Sequence, residues 1–333
     1  MAPTPSAAAS ARTPLRVLVS GGAGFIGSHL CERLLAEGCS VVAVDDLSTG
    51  RVSNLDAVLD HPRFTLLRQD IRSDSLAREP CLDGDLAAVV HLACPASPRE
   101  YLRRPIDTLR TGSHGTLNLL DLAVRSSARF LYASTSEVYG DPEVHPQPES
   151  YWGNVNPGGP RAVYNEAKRF GEAAVAAYRE HRGLRTGIVR IFNTYGPRMR
   201  ADDGRVIPAL VGQALADAPL TIHGTGQQTR SFCYVDDLVR GLVGMLWSEQ
   251  AGPINLGNPE EMTILELATV ISRVTGSASR VVPTPALQDD PARRQPDISA
   301  AARLLGWEPR VSLREGLRHT VEWFRSQSSL PTG

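Results

Sequence analysis

Leu15-Arg-Val-Leu-Val-Ser-Gly21-Gly-Ala-Gly24-Phe-Ile-Gly27 joins an apolar run to a glycine turn, and Ser40-Val-Val-Ala-Val-Asp45 closes the same unit. The run at 15–19 is short, β-rich and suited to a buried parallel strand. After the G-x-x-G-x-x-G turn, Phe25, Ile26, Leu30, Leu34 and Leu35 recur at helical spacing and so face a sheet. A second apolar run then ends at Asp45. Gly21 allows the tight turn, Gly24 lets a pyrophosphate approach, and Gly27 lets helix and strand pack closely. The helix N-terminus offers unpaired N–H groups and partial positive charge to phosphates. Asp45 is placed to accept hydrogen bonds from an adenosine ribose, and its charge disfavours a 2′-phosphate, so NAD is expected over NADP. Arg51 is the one nearby basic residue that blurs this preference.

Further apolar runs at 64–67, 86–92, 128–133 and 185–192 alternate with helical patterns around 108–125 and 162–181. This alternation predicts an α/β fold with a Rossmann-type, doubly wound parallel sheet. Asp70 and Ile71 follow the third strand, and Leu92 and Ala93 follow the fourth. They fall at strand C-terminal ends, where such folds bind ligands. The expected organisation is a dinucleotide-binding domain over 15–194, with 231–256 returning to it. A smaller C-terminal α/β domain for the substrate takes 195–230 and 257–325. Residues 1–14, rich in Ala, Ser and Pro, read as a disordered leader without the apolar core of a signal peptide.

Composition narrows the function. Of 333 residues, 42% are hydrophobic and 21% charged, and the net charge is −1, so no basic excess points to nucleic acid. No run approaches membrane-spanning length. The five cysteines lack C-x-x-C spacing and read as reduced cytosolic thiols. The eight histidines lack ligand spacing, so no metal is expected.

The 35 basic residues include one lysine, Lys168. A chain that uses Arg wherever a generic positive charge is enough keeps Lys where a compact ammonium is needed. Tyr164-Asn-Glu-Ala-Lys168 places a phenol and that ammonium on one helical face.

The glycine turn together with Tyr164-x-x-x-Lys168 resembles the extended short-chain dehydrogenase/reductases that act on nucleotide sugars. A narrower resemblance, to the UDP-glucuronate decarboxylase (UDP-xylose synthase) family, rests on His91-Leu-Ala-Cys-Pro-Ala-Ser-Pro98 and Ser134-Thr-Ser-Glu-Val-Tyr-Gly-Asp-Pro-Glu-Val-His-Pro146. Ile191-Phe-Asn-Thr-Tyr-Gly-Pro-Arg-Met199, Asp203-Gly-Arg-Val206, Gln228-Thr-Arg230 and Asn255-Leu-Gly-Asn-Pro-Glu-Glu261 add to it. So do Gln288-Asp-Asp-Pro-Ala-Arg-Arg-Gln-Pro-Asp297 and Leu305-Gly-Trp-Glu-Pro309. Cys94 departs from the family's usual Ser. Gly112 departs from its usual Asn and has no side chain to make that residue's cofactor-side contact. Animal and plant relatives carry a membrane-anchoring stem that this sequence lacks, implying a soluble, cytoplasmic chain.

The resemblance implies decarboxylation of UDP-glucuronate to UDP-xylose through a 4-keto intermediate, with NAD regenerated and a homodimer as the working form. Tyr164 is the expected base, its phenolate favoured by Lys168. Thr135 or Ser136 would polarise the carbon-4 oxygen, Glu137 would position water or relay a proton, and Arg294 would meet the sugar carboxylate. The NAD set is Gly21, Gly24, Phe25, Ile26, Gly27, Asp45, Asp70, Ile71, Leu92, Ala93, Thr111, Tyr164 and Lys168. The substrate set is Ser97, Glu100, Tyr101, Asn193, Arg198, Arg205, Arg230, Tyr234 and Arg294. Related 4,6-dehydratases carry an Asp where this chain has Ser136, a poor acid, which weakens that reading. A 4-epimerase, a decarboxylase that releases the 4-keto-pentose and NADH, and a silent dinucleotide-binding scaffold stay open.

Overall fold

The computed structural model describes residues 14–286 and 291–328. The expected leader lies outside these residues apart from Pro14, and so do positions 288–290 of the motif at 288–297. The first half alternates strands and helices: β1 (Arg16–Ser20), α1 (Phe25–Ala36), β2 (Ser40–Asp45), β3 (Phe64–Arg68), β4 (Ala88–His91), α2 (Pro98–Arg103), α3 (Pro105–Arg110), α4 (Thr116–Arg125), β5 (Arg129–Thr135), α5 (Ala162–Arg182) and β6 (Thr186–Ile191). The second half holds β7 (Thr194–Tyr195), α6 (Val206–Leu215), β8 (Leu220–His223), β9 (Thr229–Ser231), β10 (Cys233–Tyr234), α7 (Val235–Trp247) and β11 (Ile254–Leu256). After these come β12 (Glu261–Thr263), α8 (Ile264–Thr275), β13 (Val281–Thr284), β14 (Arg293–Arg294), α9 (Ser299–Leu305) and α10 (Leu313–Ser328).

Seven strands form one parallel sheet in the order β11-β6-β5-β4-β1-β2-β3. The chain builds outward from β1 through β2 and β3, then crosses back to lay β4 on the other flank of β1. That reversal opens a crevice at the strand C-termini between β1 and β4, the ligand position of doubly wound sheets. Residue alternation along the strands supplies both faces with apolar side chains. Val17, Val19, Val41, Ala43 and Val90 pack with Leu30 and Leu34 of α1 and Leu238 and Leu242 of α7. On the opposite face, Leu18, Val42, Val89 and Phe130 pack with Leu119 of α4 and Val175 of α5. β11 returns from the second half to pair with β6.

The first of these clusters continues without a break into the second half, through Leu210, Val211, Leu267, Ile271 and Val321 of α6, α8 and α10. α6 and α8 pack against the small sheets β12-β9-β14 and β13-β8, and α10 packs on α6 and α8. Among the described residues no helix is long and apolar enough to cross a membrane.

The pattern around 108–125 is helical throughout, from Pro105 to Arg125, but not uniformly α-helical. A π-helical turn, Thr111–Gly115, separates α3 from α4. It lies against α5, and a Cβ on Gly112 would sit 2.6 Å from the Ala167 Cβ. Gly112 is therefore set by helix-to-helix approach.

Candidate active site

The crevice is a cleft of about 450 Å³, lined from the β1–α1 turn on one side to Arg205, Arg230 and Arg294 on the other. Its cofactor side has the shape a dinucleotide requires. Gly21 adopts φ 75°, and a Cβ there would lie 2.8 Å from the Ala93 nitrogen. A Cβ on Gly27 would collide with the Gly21 carbonyl oxygen. Gly24 caps α1 without a side chain, and no acidic residue stands in the first turn, so the helix N-terminus faces the cleft with its own N–H groups. Asp45 is buried at the end of β2 and accepts from Ala23 N (2.9 Å, Oδ2) and Leu47 N (2.9 Å, Oδ1). Burial raises its pKa, while those two N–H groups oppose the rise. Asp70 is held by Arg72, whose guanidinium also reaches Asp107. Arg72 lines the cleft and was not anticipated.

At the centre, α5 brings Tyr164 and Lys168 against the end of β5. Lys168 is buried and donates from Nζ to Ala133 O at 2.7 Å. Its Nζ lies 5.2 Å from the Tyr132 ring centroid and 6.0 Å from that of Tyr164. Burial lowers the Lys168 pKa, opposed by Cys94 and Glu172. Tyr164 is hydrogen-bonded to Thr135, but burial, reinforced by the Cys94 thiol, pushes its pKa up. The expected lowering by the neighbouring ammonium is not found in the protein alone, because desolvation of the phenolate dominates.

Facing Tyr164 stands an unforeseen cluster. Glu137 Oε1 accepts from Arg161 Nη2 at 2.8 Å and from Arg294 Nη1 at 2.9 Å. Burial works against its ionisation, yet Arg294 and Arg161 hold its pKa down to about 2. Arg294 keeps two buried donors, Nε and Nη2, with no hydrogen-bond partner among the described residues. They form one edge of the planar fork, the edge that grips a carboxylate in two-point fashion.

All the anticipated site residues except two line the cleft. Tyr234 does not: it is buried against Tyr195 and His319, because the β10–α7 turn directs it into the core. Tyr101 does not line the cleft either. It lies behind Tyr164, with ring centroids 5.2 Å apart and planes 7° from parallel. Two others line it with their charges spent. Arg198, at φ 69°, is tied to Ser28 and Glu32 of α1. Glu100 is buried among Arg103, Arg104 and Arg200. Gly112 does not line the cleft.

Residues 17–257 match the model of the NAD dependent epimerase/dehydratase family. UDP-glucuronic acid decarboxylase 1 of Arabidopsis thaliana is 50% identical over 316 residues, 95% of this chain and 71% of the plant protein. UDP-glucuronic acid decarboxylase 1 of Danio rerio is 51% identical over 309 residues, 93% of this chain and 72% of the fish protein. Among solved structures, the UDP-glucuronic acid 4-epimerase of Bacillus cereus, in complex with UDP-glucuronic acid and NAD, superposes with a TM-score of 0.85 at 31% identity. The match covers 94% of this chain and 100% of that one.

Proposed function

Because the chain belongs to the NAD dependent epimerase/dehydratase family, among its UDP-glucuronate decarboxylases, we propose that it converts UDP-glucuronate to UDP-xylose and carbon dioxide. The observation that carries this reading is the unpartnered, buried edge of Arg294, set beside Glu137 and in the same cleft as Tyr164. A neutral hexose offers that edge only uncharged hydroxyl acceptors, whereas a uronate carboxylate meets both donors at once with a charged pair of oxygens.

NAD, when bound, supplies the acceptor and donor of hydride at carbon 4 of the sugar. The residues proposed to hold it are Gly21, Gly24, Phe25, Ile26 and Gly27 at the pyrophosphate, and Asp45 at the adenosine ribose. Asp70, Ile71, Leu92, Ala93 and Thr111 line the rest, with Lys168 at the nicotinamide ribose. Tyr164 takes the proton of the carbon-4 hydroxyl and later returns it, with Thr135 or Ser136 on the same oxygen. With carbon 4 at the ketone level, the carboxylate on carbon 5 is β to a carbonyl. The electron pair of the bond to carbon dioxide passes onto the ketone oxygen, where the Tyr164 hydroxyl stabilises the enolate. Carbon 5 then takes a proton, with Glu137 placed to orient a water or relay it. Arg294 orients the acid but also stabilises the ground state, so it contributes to rate only as far as it favours the enolate more. Ser97, Glu100, Asn193, Arg205 and Arg230 complete the substrate side.

A decarboxylase that releases the 4-keto-pentose and NADH shares the Tyr164–Lys168 pair and the β-keto-acid step but not the return of hydride. The segments at 141–146 and 293–297, which resemble the xylose-forming branch more closely, favour that branch. The proposed working form is a cytoplasmic homodimer joined through α3 and α5. Ile106 of α3 and Phe170 of α5 support it, being 58% and 42% exposed, as does Leu102 of the adjoining α2 at 53%. Incubation with UDP-glucuronate and identification of the product by mass tests the proposal.

A further inference from the structure

Arg161 belongs to none of the roles above, yet it is the residue that reaches Glu137 from the start of α5. It is the N-cap of that helix, three residues before Tyr164. Its Nη2 and the Arg294 Nη1 donate to one and the same carboxylate oxygen, 24 and 157 residues away in sequence from Glu137. The three side chains are nearly closed to solvent, at 14% exposure for Arg161, 12% for Glu137 and 6% for Arg294.

Two guanidinium groups on one carboxylate leave a positive charge in excess inside the cleft. The two do not stand alike. Arg294 comes from the short strand β14 of the second half and keeps its Nε and Nη2 edge without a partner among the described residues. Arg161 is fixed to the helix that carries Tyr164 and Lys168. When a substrate carboxylate takes the Arg294 edge, a second negative charge arrives beside Glu137. Like charges at that range repel, which displaces Glu137 or favours its protonation. A cation that stays with Glu137 opposes both effects.

We infer that Arg161 is the positioning residue of this site, keeping Glu137 anchored and ionised near Tyr164 while Arg294 is given over to the substrate carboxylate. The inference rests on the reading of the cleft as a uronate site. The two arginines then differ in role, since Arg294 recognises the acid and Arg161 maintains the group that moves protons. The charged and titratable neighbours that bear on Glu137 are Arg294 from β14, and Arg161 and Tyr164 from the start of α5. Removing Arg161 leaves one cation, claimed by the substrate, so the carboxyl pKa rises. The acid-side loss of activity then begins at higher pH.

The test is the pH profile of kcat on UDP-glucuronate for wild type, R161K, R161M, R294M, E137Q and the R161M/E137Q double variant. The dissociation constant for NAD serves as the check on folding. R161M is expected to lower kcat by about 10²-fold, the scale of a disabled proton-transfer group. Its acid limb is expected to move up by about one pH unit or more. KM and the binding preference for UDP-glucuronate over UDP-xylose should hold, and R161K should restore much of the limb position. R294M should lose that binding preference. In the E137Q background R161M should cost little more, since both changes act on one group. The inference is overturned if the R161M profile superimposes on wild type after scaling, if the R161M and E137Q losses multiply, or if R161M loses the uronate preference as R294M does. No turnover of UDP-glucuronate by wild type would remove the functional reading instead. The Arg161 contact would then still be read in the ligand-free protein. There, isotope-edited infrared titration of Glu137, with E137Q as blank, should show a higher pKa in R161M, and an unchanged one would overturn the contact's role.

Discussion

Lys168 donates its Nζ proton to the carbonyl oxygen of Ala133 at 2.7 Å, inside the protein and on the helix face that carries Tyr164. The only lysine of the chain is thus fixed at the end of β5. Its site is too closed for a planar fork, whose five donors need more room and more acceptors. Lys168→Arg is therefore expected to fold and yet lose about 10²-fold or more in kcat. Retention of activity within about threefold would remove the reason given for the lone lysine. An amine-acylating reagent should label only Lys168 and the N-terminus, and peptide mapping should show NAD shielding Lys168.

Asp45 is held by Ala23 N and Leu47 N, so its carboxylate is fixed before any ligand arrives. Asp45→Asn removes the charge that repels a 2′-phosphate. Titration should show weaker NAD binding and a smaller preference for NAD over NADP. An unchanged preference would place the ribose contact elsewhere.

Glu137 links stability to acid pH. Its folded pKa lies below the unfolded value, so its contribution is complete above about 4.5 and is lost as pH falls toward about 2. The pH-dependent part of the stability gap between wild type and Glu137→Gln should be on the order of 3 kcal/mol. Denaturant melts across that window should show the gap closing as acid is added. A gap constant through it would contradict the pairing with Arg294 and Arg161.

Gly112 has no room for a methyl group, since Ala167 already fills the space. Gly112→Ala should destabilise by about 1–3 kcal/mol, the usual cost of overpacking. Adding Ala167→Gly should recover part of the loss. Thermal melts of the two single variants and the double variant decide it, and simple additivity would contradict the contact.

What could be read from the sequence was what lies close together along it. The β1 turn, the second strand ending at Asp45 and the Tyr164–Lys168 step are each local patterns with a mechanical reason. The parallel, doubly wound character of the sheet follows from the alternation of strands and helices, whereas the strand order came from the structure. The pairing of Arg161 with Glu137 and Arg294 joins distant segments, and no spacing announces it. Tyr234 failed as a substrate contact because motif position does not say which way a turn directs a side chain. The upward shift of Tyr164 was equally invisible, because spacing gives the neighbour but not the burial.

The most direct measurement is the fate of hydride and proton during turnover of UDP-glucuronate in deuterated water. The expected products are carbon dioxide and UDP-xylose, with deuterium at carbon 5, none at carbon 4, and no net rise in the NADH absorbance band. This follows if hydride is returned to the carbon it left and only the enolate carbon, near Glu137 and Tyr164, is protonated from solvent. Stoichiometric NADH release, or the 4-ketone as main product, would contradict the xylose-forming cycle and leave decarboxylation alone standing.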